Sequence, residues 1–584
     1  MLRIVLIAMS VAALIIGAFL IANTFGIVIT QRTRELAVLR AAGATGGQVL
    51  GSVLLEALIV GVVASAVGVV VGVLGTLGLR SLSRAFGVAI PEGDLDIQPL
   101  AILAALILGV GVTVLAALGP ARRAAATSPI ASMRASAGEP ERVPVRRRIL
   151  GILVLGAGVV IAGLPSQGMP MPCLGLGIGL ALVGVVTLAP VALRPLISLL
   201  GLIGSTSVAG QVARESALRE PRRTAATVMA LAFGLALMVF AAVVGASVKA
   251  ATAEQYREVI AADVVVESAG QEMLGGVHAA VFDEVAAVDG VGTATRIKYG
   301  HWRDRGVTSA LSAIEPDRIT EVAHLRMIDG ELALLDAGGV VIAERVAAER
   351  GLGIGDALPM TFARTGEVGL PIVGIIADGS AQALQTDYLV SLATYAQHFT
   401  EDMDASIFVT AADGVSPEQL AAALAVALED HPTVQVRDHA AVVAGRTQTV
   451  DQLFGLVTVL LAFAMVIAVL GIANTLSLSI VERTREIGLL RAVGMSRASA
   501  WLMVEIEAVL VSATAVVVGV LLGLGAAVAT IAALATTAPL ELVVPWDQGL
   551  VLLAVSAVGL VAGVLPARRA ARLPVLEAIA ERTA

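Results

Sequence analysis

The segment IVERTREIGLLRAVGMS, Ile480–Ser496, breaks a long apolar run with a burst of Arg and Glu, and ITQRTRELAVLRAAGAT, Ile29–Thr45, repeats its design 451 residues earlier. Over the wider windows Ile21–Gly43 and Ile472–Gly494, 13 of 23 positions are identical, among them IANT, RTRE and the closing Arg and Gly. Internal similarity of this kind sets the architecture before any other feature is weighed. The match continues beyond the window: Glu56 corresponds to Glu507, and GVVVG (Gly68–Gly72) to GVLLG (Gly519–Gly523). At a later offset, GPARRAA from Gly119 corresponds to LPARRAA from Leu565.

The 584 residues are 57% hydrophobic and 15% charged, with mean hydropathy +0.90. A soluble chain carries roughly 25% charged residues, so the apolar excess marks an integral membrane protein. The charge-poor runs are Ile4–Gln31, Ala57–Arg80, Ile97–Ala121, Ile149–Leu193, Thr224–Val248, Gln452–Val481, Ala508–Leu540 and Gln548–Ala567. About 20 helical residues cross a bilayer core. The run Ile149–Leu193 is long enough for two spans and is broken by LPSQGMPMP, whose prolines favour a hairpin. The expected total is nine spans. The first run is too long for a signal peptide and lacks a small-residue cleavage pattern, so it reads as a span.

Basic side chains cluster between alternate runs: Arg32, Arg34 and Arg40; Arg122 to Arg148; Arg214 to Arg223; Arg483, Arg485, Arg491 and Arg497; Arg568 to Arg572. The positive-inside bias puts all five clusters in the cytoplasm, and the spans alternate through them without conflict. EGDLD (Glu92–Asp96), APLELVVPWD (Ala538–Asp547) and the N-terminus then face outward. From Ala250 to Gly445 there are 29 acidic and 11 basic residues, net −18, while the rest carries 18 and 28, net +10. The acidic block, which holds all six histidines, reads as a water-exposed extracytoplasmic domain.

Each repeat is three spans with one charged cytoplasmic corner, and six spans separate equivalent points. The copies therefore share one orientation, with a pseudo-twofold along the membrane normal. RTRELAVLRAAG and RTREIGLLRAVG have helix-forming composition, and Gly43 and Gly494 suit the left-handed position past a helix end. Thr45 and Ser496 suit the N-cap of the returning helix. Any mixture of Lys and Arg would fix topology; the same order kept twice predicts a docking surface. Glu56 and Glu507 fall about one turn inside the membrane, where a carboxylate is a functional candidate, and their expected role is to partner the nearby corner arginines. The pairs Gly68/Gly72 and Gly519/Gly523 permit close helix approach and are expected to pack within the chain.

In the acidic block, DVVVES, LPIVGIIAD and ASIFVTAAD are short β-branched runs, and Ser416–Pro417 open an Ala-rich helix, which predicts an α+β domain. It contains no nucleophile elbow with Ser/His/Asp order and no recognisable pair of carboxylates, and its histidines lack HExxH or HxxxH spacing. GLGIGD holds GxG without the rest of the dinucleotide fingerprint and reads as a turn. The single cysteine, Cys173, excludes an internal disulfide. A phosphate-cradling P-loop needs Gly-Lys-Ser/Thr, and the two lysines, Lys249 in SVKA and Lys298 in RIKY, do not follow glycine. Any nucleotide hydrolysis falls to another subunit.

The second corner with its flanks, IANTLSLSIVERTREIGLLRAVGMS followed by EIEAVL and LPARRAARLPVLEAI, resembles the signature of the FtsX-like permease domain of MacB-type ABC transporters. VARESALREPRRTAATVMALAFGLALMV (Val212–Val239) looks like that family's half-unit start, an elbow helix before a span. The resemblance implies an α-helical polytopic membrane protein of about nine transmembrane helices in two parallel FtsX-like repeats, with an inserted α+β extracytoplasmic domain. The implied domains are 1–135, a first FtsX-like domain; 136–206, a linker and transmembrane hairpin; 207–248, elbow and span; 249–445, a MacB-like extracytoplasmic domain; and 446–584, a second FtsX-like domain.

It further implies that the corners are coupling helices seated in clefts of an ATP-binding subunit dimer. The residues are Arg32, Arg34, Glu35, Arg40 and Gly43 in one corner, and Glu482, Arg483, Arg485, Glu486, Arg491 and Gly494 in the other. The chain would be non-catalytic and bind no cofactor, ATP and Mg being used by the partner. Its other implied partners are the lipid bilayer and an extracytoplasmic protein or lipoprotein, with no nucleic acid. The implied role is the permease subunit of an ABC transporter in a bacterial plasma membrane, for efflux, lipoprotein handling or envelope signalling. The alternative is a non-transporting regulator of an external hydrolase. A secondary transporter fits less well, since it would want inverted repeats and ionisable groups at the midplane. A full ten-span member would carry an elbow, a span and an external domain ahead of residue 1, so the sequence reads as a shortened or late-starting form.

Overall fold

A computed structural model describes residues 14, 17–18, 21–22, 24–26, 28–29, 32–85, 99–126, 144–204, 207–219, 221–268, 276–445, 447–448, 450–452, 454–455, 457–458, 477, 480, 483–536, 540–546, 563–564, 566–568 and 570–572. The residues divide into a membrane unit and a second unit, Ser247–Asp451 with Ala538–Glu541.

In the membrane unit, Gly43 ends α1 (Thr33–Ala41) at φ +104° before α2 (Gly46–Ala85) rises. α3 (Pro99–Ala126) packs along α2. Next, α4 (Val145–Gly163), a 3-10 turn at Leu164–Gln167 and α5 (Pro172–Gly204) form the hairpin that the prolines predict. α5 runs beyond the expected end at Leu193, through Pro190 and Pro195. Its last turns find a polar partner in Arg214 of α6 (Val208–Arg219), which donates to the Ser198 carbonyl at 3.2 Å and hydroxyl at 2.5 Å. α7 (Pro221–Val259) follows.

The second unit contains β1 (Val264–Ser268), β2 (Val277–His278), α8 (Ala279–Ala286), β3 (Val291–Asp304), β4 (Val307–Ile314), α9 (Pro316–Val322), β5 (Met327–Gly330) and β6 (Val340–Ala343). It continues through α10 (Glu344–Arg350), β7 (Ala357–Phe362), β8 (Gly366–Ile376), α11 (Asp378–Ala383), β9 (Tyr388–Ser391), α12 (Leu392–His398), β10 (Met403–Asp404), β11 (Ser406–Ala411), α13 (Pro417–Ala427) and β12 (Val434–Asp438). The main sheet has strand order β12-β1-β11-β3-β4-β9-β6-β8-β5, with β7 pairing β3 and β8.

β3 joins two cores because its first half pairs with β11 and its second half with β4. β1 is buried along its whole length, and its alternation sends Val264 and Val266 into the smaller core with α8 and α13, and Val265 into the larger. Glu267 on the same strand is buried against Arg437 at 2.9 Å, as a buried carboxylate requires. α13 starts with the Ser416 cap read from sequence, closed into a capping box by Gln419. Lys249 and Asp451 meet at 2.6 Å, so the chain enters and leaves this unit at adjacent points.

His398 stacks on Phe362 at 4.3 Å, and its Nδ1 lies 2.7 Å from the Thr365 hydroxyl. Burial, then the nearby Arg364, lowers its pKa below 6.5. Between the folded and unfolded values the unfolded chain binds the proton and the native one does not, so stability rises with pH there and is lost on acidification below about 6.5. The melting temperature of this unit in the intact protein is therefore expected to fall from pH 7 to pH 5, and His398→Gln to flatten that slope. An unchanged slope in the variant would remove His398 as the cause.

Two further helices of the membrane unit are α14 (Thr484–Ala492) and α15 (Arg497–Leu534). Among the described residues, six helices, α2 to α5, α7 and α15, are long and apolar enough to cross a membrane. The expected spans Ile4–Gln31, Gln452–Val481 and Gln548–Ala567 lie largely outside the described residues. Among these six, α7 is the most enclosed, whereas α2 and α3 leave most of their apolar length exposed.

Candidate functional site

The two corners fold alike from local rules. α14 stops at Gly494, φ +118°, as α1 stops at Gly43, a left-handed turn that costs glycine nothing. Ser496 then accepts from the Ser499 backbone at 3.0 Å, and Thr45 from that of Gln48 at 3.3 Å, so both returning helices are capped as the sequence predicts.

In each corner an arginine reaches the helix that leaves it. Arg32 reaches Glu35 at 3.3 Å and Glu56 at 3.0 Å. Arg483, 451 residues on, reaches Glu486 at 3.3 Å and Glu507 at 3.7 Å. The expected pairing of the two membrane carboxylates with corner arginines is present in both copies. Their surroundings differ. The Arg32 and Glu56 side chains are half exposed, whereas those of Arg483 and Glu507 are 18% and 14% exposed. Arg483 also donates to Ser216 of α6 at 2.5 Å, and Ala209 and Ala213 of α6 pack with Ile480, Ile487, Met503 and Val504. The equivalent cluster at the first corner, Ile29, Val53 and Ala121 with Leu36, Leu50 and Leu54, includes no elbow helix among the described residues.

The outward faces carry what the sequence reading missed. Val38 and Leu39 on α1 are 58% and 55% exposed, and their counterparts Leu489 and Leu490 on α14 are 48% and 38% exposed, with Val493 beside them at 87%. Adjacent apolar side chains left exposed on a short charged helix mark an interaction surface. Their signal in the sequence was a pair of aliphatics inside an otherwise polar segment. Glu35 and Glu486 are exposed beside them, while Arg40 and Arg491 close the last turns of α1 and α14. The side chains of Arg34 and Arg485, and Glu482 as a whole, lie outside the described residues.

The glycine pairs behave differently in the two copies. A Cβ on Gly519 would sit 2.9 Å from the Ala232 carbonyl oxygen of α7, and one on Gly523 would sit 2.4 Å from that of Ala236. These two glycines therefore seat α15 against α7, as intramolecular packing requires. Gly68 and Gly72 have nothing within 4 Å among the described residues. The helix that fills the groove in the second copy, α7, has no counterpart beside α2 in the described residues.

A second missed residue is Glu505 on α15. It is 7% exposed, and its Oε2 has no hydrogen-bond partner among the described residues. EIEAVL offers two carboxylates two positions apart, which a helix turns to different faces, and only Glu507 has a counterpart in the first copy. Glu505 replaces Leu54. An unsatisfied buried polar group costs about 1–3 kcal/mol, so Glu505→Leu is expected to raise the unfolding midpoint of the detergent-purified protein by that order. A lowered midpoint would show that the carboxyl has a favourable partner.

The family described as FtsX-like permease C-terminal matches residues 7–129 and again 458–575, and the one described as MacB-like periplasmic core domain matches 224–427. An uncharacterized ABC transporter permease protein of Mycobacterium tuberculosis is 25% identical over 520 residues, 86% of this chain and 60% of that protein. The macrolide export ATP-binding/permease protein MacB of Brucella abortus is 43% identical over 141 residues, 24% of this chain and 20% of its own. The extracellular domain of the ABC-type transporter YknZ from Gram-positive bacteria matches 30% of this chain and 99% of its own, at 13% identity and a TM-score of 0.24. The chain thus spans less than two thirds of the length of these curated relatives.

Proposed function

We propose that this chain, which belongs to the FtsX-like, MacB-type family of ABC transporter permeases, is a nine-span subunit of two parallel repeats whose cytoplasmic corners dock on a separate ATP-binding subunit. The observation that carries this reading is the doubled corner. At both places an exposed apolar pair, Val38–Leu39 or Leu489–Leu490, sits on a short helix anchored by the same Arg–Glu–Glu arrangement. Two like surfaces in one chain suit the two clefts of a dimeric partner. In this reading ATP and Mg belong to that partner, since the two lysines of the sequence do not follow glycine as a P-loop requires.

The anchors give the docking surface a mechanical consequence. Because Glu56 and Glu507 lie on the long helices α2 and α15, a push on either corner is delivered through an ion pair to the base of a rigid membrane helix. The α7–α15 groove extends that rigid contact in the second copy. The output is a change of posture of the extracytoplasmic domain, in efflux, lipoprotein handling or envelope signalling.

The test is co-purification of the tagged chain with an ATP-binding subunit. Val38→Asp, Leu39→Asp, Leu489→Asp and Leu490→Asp combined are expected to lower recovery of that subunit by at least about 10-fold, the loss of roughly 1.4 kcal/mol or more. The melting of the extracytoplasmic domain should not move. Undiminished recovery would contradict the docking assignment.

A further inference from the structure

The extracytoplasmic domain contains a cavity of about 420 Å³ between the start of β9, the helix α10 and the β3–β4 hairpin. That size is at the low end for enclosing a small ligand. We propose that it binds a small zwitterion of the amino-acid or short-peptide class, an assignment independent of how the membrane unit is driven.

The wall chemistry decides the class. Its charged side chains are Arg345, Arg350, Asp304, Glu349 and Asp387, a formal sum of −1. Arg350 is held deep in the wall: it forks onto Asp304, with Nη1 donating to Oδ1 at 3.1 Å, and Nη2 donates to the Tyr388 hydroxyl at 2.9 Å. Those two charged side chains are only 18% and 11% exposed. The Tyr388 phenol is pushed up to about 12, chiefly by burial, and so stays a neutral hydroxyl. Arg345 sits at the mouth, about half exposed, donating to Asp387 at 2.8 Å and to Glu349 at 3.2 Å. The rim also carries Gln382 and Gln385, the latter in the left-handed region at φ 57°, a conformation uncommon for a side chain of its size.

Three ligand classes fail against this wall. A simple anion would meet a net negative lining whose guanidiniums already hold carboxylates. A divalent metal would need carboxylates that are committed to arginine, and no group of three metal-binding side chains occurs among the described residues. A sugar or flat ring would need an aromatic face, but Tyr388 is 4% exposed and sets its ring edge-on to Trp302 at 5.0 Å. A zwitterion fits. Its carboxylate takes Arg345, its ammonium takes Glu349 and Asp387, and each charge of the exposed pair is exchanged for one of the same sign. Because exposed ion pairs are weak, opening this one loses little, while the buried Arg350–Asp304 pair remains as a fixed floor. The rim amides suit a peptide group, which offers one donor and one acceptor.

The experiment is saturation-transfer NMR on the full chain in nanodiscs with trialanine, its N-acetyl and C-amide derivatives, and the doubly blocked form. Trialanine is expected to bind with a Kd of about 1 mM, the range of a fragment held by two charges. Blocking either terminus should weaken binding at least about 10-fold, as should Arg345→Gln or Glu349→Gln. Both side chains are exposed enough that folding survives, which the melting temperature of each variant checks. Equal binding by the doubly blocked peptide, or no binding by trialanine at about ten times that Kd, would overturn the assignment. Full binding by Arg345→Gln would do so as well.

Discussion

Arg483→Gln should destabilise the protein by up to about 3–5 kcal/mol, the cost of removing one member of a mostly buried ion pair. Arg32→Gln at the equivalent place should cost no more than about 1 kcal/mol, as exposed pairs do. The two arginines make the same contacts to a carboxylate three residues on and to one on the next helix. They differ in solvent: the Arg483–Glu507 pair is mostly buried and Arg483 also holds Ser216 of the elbow helix, whereas half of Arg32 and of Glu56 faces water. Unfolding midpoints of the two purified variants, read side by side, separate burial from sequence. Equal losses would mean that the elbow contact contributes nothing and that the first corner is as enclosed as the second.

Gly523→Leu should have an effect of similar rank. Its Cβ would lie 2.4 Å from the Ala236 carbonyl oxygen and 2.8 Å from the Val239 Cβ, so neither helix can yield without a backbone shift. Overpacking of this kind costs about 1–3 kcal/mol and sometimes more. Loss of monodisperse protein on size-exclusion chromatography is the expected result. Gly72→Leu, with nothing within 4 Å among the described residues, should purify as the parent does. If Gly72→Leu fails equally, another helix covers that face of α2.

What the sequence revealed and what it hid divide by range of interaction. The corner helices, their stops at Gly43 and Gly494 and their caps at Thr45 and Ser496 are decided within a turn or two, and all were legible. So was the pairing of Glu56 and Glu507 with arginine, because each carboxylate falls near its corner on the returning helix. The unequal burial of the two pairs was not legible, since it depends on α6, more than 260 residues from Arg483 in the chain. Glu505 has no matching counterpart in the first copy, where Leu54 stands, so the repeat gives no sign of it. In the second unit the β-branched runs announce strands, but the order β4-β9-β6-β8, with β4–β9 and β6–β8 parallel and β9–β6 antiparallel, rests on long-range pairings that no local signal encodes. The cavity that joins Asp304, Arg350 and Asp387 was hidden for the same reason.

The proposed function requires that both corners touch an ATP-binding subunit. With Cys173→Ala as background, cysteines placed at Val38 and at Leu489 provide the most direct measurement, since both positions are exposed on their helices. In membranes holding both proteins, each cysteine should be reached by an impermeant maleimide only from the cytoplasmic side and should crosslink to the ATP-binding subunit. Labelling from the outer side, or cytoplasmic labelling with no crosslink at either position, would contradict the account.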